Sequence, residues 1–204
     1  GRLAVLLGNP PREFRATSTT VNQLVDAAGK LSQNRKGALI VVDLGSDLRP
    51  EDFLYSGINI EAQLSTDLLI NLFATDTPLH DGAVLVKGNK IISAGVILPL
   101  SRQGISRYGT RHLAALGITE RFDRCICIVV SEETGTLSLA NQGKLERPIT
   151  SSRLQELLIK LIGNQNPLGG TKSSINKTTS SQNKNTNDNI TIENKSDNQN
   201  TIQD

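Results

Sequence analysis

Apolar residues along the chain recur at two spacings, one typical of helices and one typical of strands. In four stretches they return every three or four positions, so that one side of a helix would be apolar and the other polar. These stretches predict helices over residues 19–34, 66–74, 110–116 and 151–162.

Polar residues and glycines mark the ends of these helices. Thr20 and Gln23 have the spacing of a capping box, and Ser65 is a preferred N-cap residue for the second helix. Thr110 is placed to cap the third helix, which we expect to end at Gly117.

Shorter apolar runs predict strands between the helices. The runs cover residues 38–43, 58–64, 83–86, 91–98, 124–131 and 137–141. Those within 83–98 and within 124–141 are separated by short turns, which indicates two hairpins and therefore antiparallel pairs. We predict an α/β (α+β) fold with a central mixed β-sheet flanked by helices.

Composition divides the chain into three parts. Residues 1–17 include two consecutive prolines and predict an extended N-terminal connector, whereas residues 18–163 hold the apolar pattern. Residues 164–204 are rich in Asn, Ser, Thr and Lys. Because so little apolar surface cannot offset the entropy lost on ordering, we expect this last part to be a disordered tail.

Charge and cysteine content argue against several classes of function. The 204 residues carry a net charge of only +2, with basic residues spread along the chain, which argues against nucleic-acid binding. Cys125 and Cys127 lie two apart in one predicted strand, a poor arrangement for a disulfide, and lack the second pair that a zinc site needs. We interpret them as apolar strand residues in a reducing compartment.

Membrane and export signals are absent from the sequence as given. It contains no run of 18 apolar residues and no signal peptide. The chain nevertheless begins at Gly1 and contains no Met, so we expect it to be a fragment whose natural N-terminus lies upstream.

Three polar clusters lie at the ends of predicted elements, and the first is His80-Asp81-Gly82. Its imidazole and carboxylate could bind a divalent cation, or the carboxylate could accept a proton from a hydroxyl group. Gly82 would let the backbone approach a ligand closely. The alternative is an ordinary turn, because Asp-Gly is common turn chemistry.

The second cluster is Gly109-Thr110-Arg111-His112, preceded by a loop with Arg102 and Arg107. A capped helix start and an Arg side chain both suit phosphate oxygens. The alternative is a capped helix with solvated arginines.

The third cluster, Ser131-Glu132-Glu133-Thr134-Gly135, puts two carboxylates after a buried strand. They could hold a metal or orient a ribose or base edge, or the segment could be a polar hairpin turn. Together the three clusters suit a nucleotide with its metal. Neither a P-loop nor a Rossmann glycine motif is present, which argues against both of those sites.

The three clusters lie within longer segments that resemble the diadenylate cyclase (DAC) domain family. The segments are PLHDGAV (78–84), GTRHLAALGITE (109–120) and IVVSEETGTLSLA (128–140), in the family's order. The resemblance extends from about residue 19 to residue 160 and fits the CdaA-like membrane-anchored class. It implies a cytoplasmic domain that reaches the membrane only through an upstream segment absent from this chain.

The resemblance also implies an activity. DAC domains are nucleotidyltransferases that condense two ATP into cyclic di-AMP and two pyrophosphates, with Mg²⁺ or Mn²⁺ as cofactor. The product has two identical linkages, so we expect two domains to face each other across the two-fold axis of a homodimer. The implied partners are ATP and a second copy of the chain, without nucleic acid.

The family's motifs assign roles to individual residues of this chain. Asp81, expected to activate the ribose 3′-hydroxyl, and Arg111, expected to hold phosphate, are the implied catalytic residues. His80, Asp81 and Glu132 are the implied metal ligands. The implied nucleotide-binding residues are Gly82, Ala83, Leu98, Thr110, Arg111, His112, Ser131 and Glu133.

Leu113 departs from the family's RHR motif, which falls on Arg111-His112-Leu113 here. The absent Arg removes one expected phosphate contact. It motivates a second hypothesis, a non-catalytic ATP-binding regulatory module that would bind ATP without releasing pyrophosphate. In a third hypothesis the chain is a structural interaction domain, and the three clusters are only turns.

Overall fold

The computed structural model describes residues 12–103 and 107–163, which form four α-helices, a short 3₁₀ helix at Pro50–Asp52 and seven strands. The helices are α1 (Arg12–Gln33), α2 (Thr66–Leu72), α3 (Thr110–Arg121) and α4 (Ser151–Gly163). The strands are β1 (Ala38–Asp43), β2 (Ile58–Gln63), β3 (Ala83–Lys87), β4 (Lys90–Val96), β5 (Cys125–Val130), β6 (Leu137–Asn141) and β7 (Lys144–Ile149). None of the helices in these ranges has both the length and the apolar character that crossing a bilayer requires. The predicted tail and residues 1–11 of the predicted connector lie outside the described residues.

The seven strands form one mixed sheet in the order β2-β4-β3-β1-β5-β6-β7. The central strand, β1, is parallel to β3 and antiparallel to β5, and the other neighbouring pairs are antiparallel. Every residue of β1 and β5 is buried, as expected for strands covered on both faces. The predicted mixed sheet and its hairpins, β3–β4 and β5–β6, are confirmed.

Helices cover both faces of the sheet and divide its core into two layers. Because the side chains of a strand alternate between faces, Ile40 packs in the layer of α1, α2 and α4, whereas Val41 packs in the layer of α3. Cys125 and Cys127 are free and buried in the α3 layer, which confirms them as apolar strand residues. Burial, more than the neighbouring thiol, raises the pKa of the Cys127 thiol.

The first helix begins earlier than predicted. α1 starts at Arg12, so the expected extended connector is wrong for residues 12–17 and the Thr20–Gln23 capping box is wrong as well. Residues 12–16 (REFRA) contain good helix formers, so the helix includes the last part of the predicted connector. The spacing of the apolar residues predicted only the part of the helix that packs against the core, and α1 extends beyond it at the N-terminal end.

The third helix differs from the prediction at both ends. Its N-cap is Gly109, so Thr110 is the first helical residue and not the cap. It also continues past Gly117 to Arg121. A Cβ at position 117 would lie 2.1 Å from the Pro99 carbonyl oxygen, so this glycine lets the chain after β4 cross directly over the helix.

The two edge strands fit the sequence pattern least well. In β2 the apolar side chain of Ile58 is 49% exposed, and the register with β4 shifts between Asn59 and Ala62. The residues of β7 are mostly exposed and include Pro148. Proline is tolerated in an edge strand because one side of the strand needs no hydrogen-bonding partner.

Because of the close approach at Gly117, substitution by alanine should have opposite effects on stability at two helical glycines, Gly117 and Gly29. Gly117→Ala should lower the free energy of unfolding by about 1–3 kcal/mol, because the added methyl group overlaps backbone. Gly29→Ala in α1 is the matched control, since its methyl group would meet only Ser151 Oγ at 3.5 Å. That change should raise the free energy of unfolding by up to about 1 kcal/mol through helix propensity. Urea denaturation of both variants checks this, and equal effects would contradict the close approach.

Candidate active site

Strand pairing brings the three polar clusters to one edge of the sheet. Since β1 and β3 are parallel, the cluster at residues 80–82, which precedes β3, lies at the same edge as the start of β1. Since β5 is antiparallel to β1, the cluster at residues 131–135, which follows β5, lies there too. The start of α3 borders the same region. The predicted site residues are therefore neighbours in the fold.

Two clefts open at this edge and share Thr110, Arg111 and Glu132. The wide cleft has a volume of about 600 Å³, and its lining also includes Arg107, Arg147, His112, Ser131 and Glu133. The narrow cleft has a volume of about 400 Å³, and its lining also includes His80, Asp81, Gly82 and Leu98. Of the predicted nucleotide-binding residues, Ala83 lines neither cleft and is fully buried in β3.

Arg111 lies where the two clefts meet and pairs with Glu132, with 2.9 Å between Nη1 and Oε2. A Cβ at Gly37, just before β1, would lie 2.6 Å from Arg111 Nη1 and 3.0 Å from Glu132 Cβ. Gly37 therefore forms the floor beneath the pair. The sequence prediction missed this residue, and its signal was only a glycine directly before a buried strand.

Gly82 sets the direction of the chain as it enters β3. Its φ is +113°, and a Cβ there would lie 2.7 Å from the Gly95 carbonyl carbon in β4. The neighbouring strand therefore already requires a glycine here, and Gly82 also lines the narrow cleft. The backbone path that results places Asp81 in the lining of the narrow cleft.

One ring nitrogen of His80 forms a hydrogen bond within the turn before β3. Its Nδ1 lies 2.6 Å from the Thr77 carbonyl oxygen, which can only accept, so Nδ1 carries the proton and donates. In the neutral ring Nε2 then keeps its lone pair, the form in which imidazole binds metals.

His112 belongs to the wall of the wide cleft. It is 6% exposed, its Nε2 lies 3.1 Å from Ser138 Oγ, and its ring stacks on Tyr108 with 6.2 Å between ring centroids. Burial, and secondly the positive charge of Arg147, lowers the pKa of His112. The histidine is therefore a neutral wall residue at pH 7.

The turn after β5 is anchored by the end of α1. Ser131 Oγ accepts a hydrogen bond from the Thr134 N–H at 3.3 Å, and the Gly135 N–H donates to the Ser131 carbonyl at 2.9 Å. Ser32 Oγ, near the end of α1, donates to the Gly135 carbonyl at 2.5 Å. These bonds fix the turn that presents Glu133 to the wide cleft.

The three predicted metal ligands, His80, Asp81 and Glu132, all line the narrow cleft. Within the described ranges, however, no three His, Cys, Asp or Glu side chains are already grouped to hold a metal. Glu132 pairs with Arg111 instead. Mg²⁺ usually takes one or two protein carboxylates together with substrate phosphates, and Mn²⁺ is likewise suited by oxygen ligands. The carboxylate of Asp81 fits such an ion when it arrives with its substrate, and the His80 imidazole lies in the same lining.

Leu113 lies outside both clefts. Its side chain is 7% exposed, and its carbonyl accepts the Ser101 N–H at 2.9 Å, which ties α3 to the chain after β4. Leu113 itself therefore contributes no side chain to either lining.

A family model described as DisA bacterial checkpoint controller nucleotide-binding (DAC) matches residues 25–145. The cyclic di-AMP synthase CdaA of Bacillus subtilis is 41% identical over 160 residues, covering 78% of this chain and 57% of its own length. The diadenylate cyclase of Listeria monocytogenes is 48% identical over 132 residues, covering 64% of this chain and 47% of its own length. The chain thus spans about half the length of these two relatives.

The solved structures similar to this chain include the following two. A double mutant of DacA from Staphylococcus aureus has a TM-score of 0.64 and 37% identity, covering 70% of this chain and 95% of that one. A structure described as a hypothetical membrane spanning protein from Bacillus cereus has a TM-score of 0.59 and 41% identity, covering 64% of each chain.

The lowered pKa of His112 predicts a dependence of stability on pH. As the pH falls below about 6.5, the ordinary pKa of His, the unfolded chain binds a proton that the folded chain binds only at lower pH. The free energy of unfolding should therefore decrease below that pH. In His112→Gln this decrease should be smaller. Urea denaturation between about pH 7.5 and 5.5 measures it, and parallel curves for the two proteins would be inconsistent with a depressed pKa.

Proposed function

Because the chain belongs to the DAC family, we propose that it is a diadenylate cyclase, which condenses two ATP into cyclic di-AMP and two pyrophosphates. The observation that supports this most directly is the placement of Asp81 and Arg111 around one pair of joined clefts. The sequences similar over most of the domain include proteins named diadenylate cyclase or cyclic di-AMP synthase.

The two clefts suit the two halves of ATP. In the narrow cleft, Leu98 is the predicted contact for adenine, and Ile97 and Leu100 extend its apolar wall. Apolar walls with a few polar groups are typical of small-molecule sites. The wide cleft is rich in arginine, whose forked guanidinium matches phosphate oxygens. The nucleoside therefore occupies the narrow cleft and the phosphates extend past Arg111 into the wide one.

The chemistry assigned to the chain is a proton transfer and a charge-stabilised displacement. Asp81 accepts the proton of a ribose 3′-hydroxyl, the 3′-oxygen forms a bond to the α-phosphorus of the other ATP, and the bond from that phosphorus to the pyrophosphate oxygen breaks. Arg111 neutralises charge on the phosphate, and Glu132 holds Arg111 in position. A Mg²⁺ or Mn²⁺ bound by Asp81 and His80 would supply further positive charge.

The two identical linkages of the product imply an assembly with two-fold symmetry. Two equivalent attacks are made when two nucleotides are related by a two-fold axis, and a C2 homodimer supplies that axis. Each chain brings one ATP and one Asp81 to the shared site. An isolated chain would then bind ATP and turn it over poorly, because the second reactant is missing.

The domain is further proposed to act in the cytoplasm, anchored to the membrane by an upstream segment. The support is the resemblance to the CdaA-like class and the match to a structure described as a membrane spanning protein. Fractionation of the full-length protein tests this, and recovery in the soluble fraction would contradict it.

Asp81→Asn should abolish product formation while leaving the fold intact. The change keeps the size of the side chain and removes the proton acceptor, which is worth about 100- to 10,000-fold in rate. Cyclic di-AMP and pyrophosphate released from ATP with Mn²⁺ are measured. Asp76→Asn is the matched control, because Asp76 is exposed in the turn before His80 and lines neither cleft.

The outcomes of this experiment separate the hypotheses. Wild-type turnover by Asp81→Asn would refute the assigned role. Wild-type protein that binds ATP but releases no pyrophosphate would support the non-catalytic regulatory module. The Leu113 departure that motivated this module lies at a position whose side chain lines neither cleft.

A further inference from the structure

Arg147, on β7, lines the wide cleft without a carboxylate partner. Among the described residues its guanidinium forms no ion pair or hydrogen bond, whereas Arg111 in the same cleft pairs with Glu132. The adjacent Glu146 is engaged elsewhere, with 2.8 Å between its Oε1 and Nε of Arg153. Arg147 therefore brings an uncompensated positive charge to the cleft.

A stack of side chains supports this guanidinium. Its Cζ lies 5.6 Å from the centroid of the Tyr108 ring, which in turn stacks on His112. His112 is buried and hydrogen-bonded to the Ser138 hydroxyl. A cation over an aromatic face is attracted to the ring, which favours one position of this long side chain. The N–H groups of Arg147 remain available to a ligand.

The charges in the wide cleft favour an anion. Arg107, Arg111 and Arg147 all line it, against the carboxylates of Glu132 and Glu133. Since Glu132 already pairs with Arg111, the cleft retains excess positive charge. Guanidinium groups bind phosphate oxygens through paired, charge-assisted hydrogen bonds.

We propose that Arg147 binds the terminal phosphates of ATP, the part that leaves as pyrophosphate. The inference rests on the proposed function, which puts the nucleoside in the narrow cleft. Arg111 lines both clefts and so meets the phosphate nearest the ribose, whereas Arg147 lines only the wide cleft and meets the outer phosphates. Arg147 then makes the site selective for a triphosphate over a monophosphate.

The test compares ATP with AMP, which lacks the outer phosphates. Calorimetric titrations with Mg²⁺ use the full chain as wild type, Arg147→Ala and Arg147→Lys. Arg121→Ala is the matched control, since Arg121 is an exposed arginine at the end of α3 that lines neither cleft. Loss of a charge-assisted contact should weaken ATP binding by Arg147→Ala about 10-fold or more. AMP binding should stay within about 2-fold, and Arg147→Lys should lie between.

Two results would overturn this inference and leave the proposed function intact. One is a wild type that makes cyclic di-AMP while Arg147→Ala binds ATP with unchanged affinity. The other is equal weakening of ATP and AMP by both variants, the sign of a purely structural role in the Tyr108 stack. A wild type that binds no ATP would refute the proposed function and this inference with it.

Discussion

β1 pairs in parallel with β3 on one side and antiparallel with β5 on the other, and all its residues are buried beneath helices. These two pairings bring the start of β1, the start of β3 and the end of β5 to one edge of the sheet. They hold the turn with Asp81 and the turn with Glu132 next to each other, although 51 positions separate the two residues. Neither turn could form a site by itself.

Close backbone approaches at glycines refine this arrangement. Gly82 lets β4 pass beside the Asp81 turn, Gly117 lets α3 dock under the chain after β4, and Gly37 leaves room for Arg111. The Arg111–Glu132 pair contributes little to stability, because its side chains are 27% and 56% exposed and such pairs are worth about 1 kcal/mol or less. Packing therefore positions the pair, which lines both clefts.

The sequence predicted most of the fold, and the three polar clusters that it singled out lie together along the two clefts. Buried strands such as β1 and β5 have continuous apolar runs, and hairpin turns are local signals. What was missed depends on distant neighbours. Gly37 is required because a side chain there would overlap Arg111. Arg147 lies on an edge strand whose polar residues and proline resemble those of a loop. The role of Gly117 follows from a chain segment that crosses the helix, and periodicity cannot show such a crossing.

The central proposal is that two chains join their clefts and complete one reaction. The most direct measurement is the rate of cyclic di-AMP formation per chain, from ATP with Mn²⁺, at protein concentrations from well below to well above the dissociation constant of the dimer. Sedimentation of the same samples gives the fraction of dimer. Catalysis across a dimer predicts a rate per chain that rises in parallel with this fraction. A rate per chain that stays constant while the dimer dissociates would contradict it.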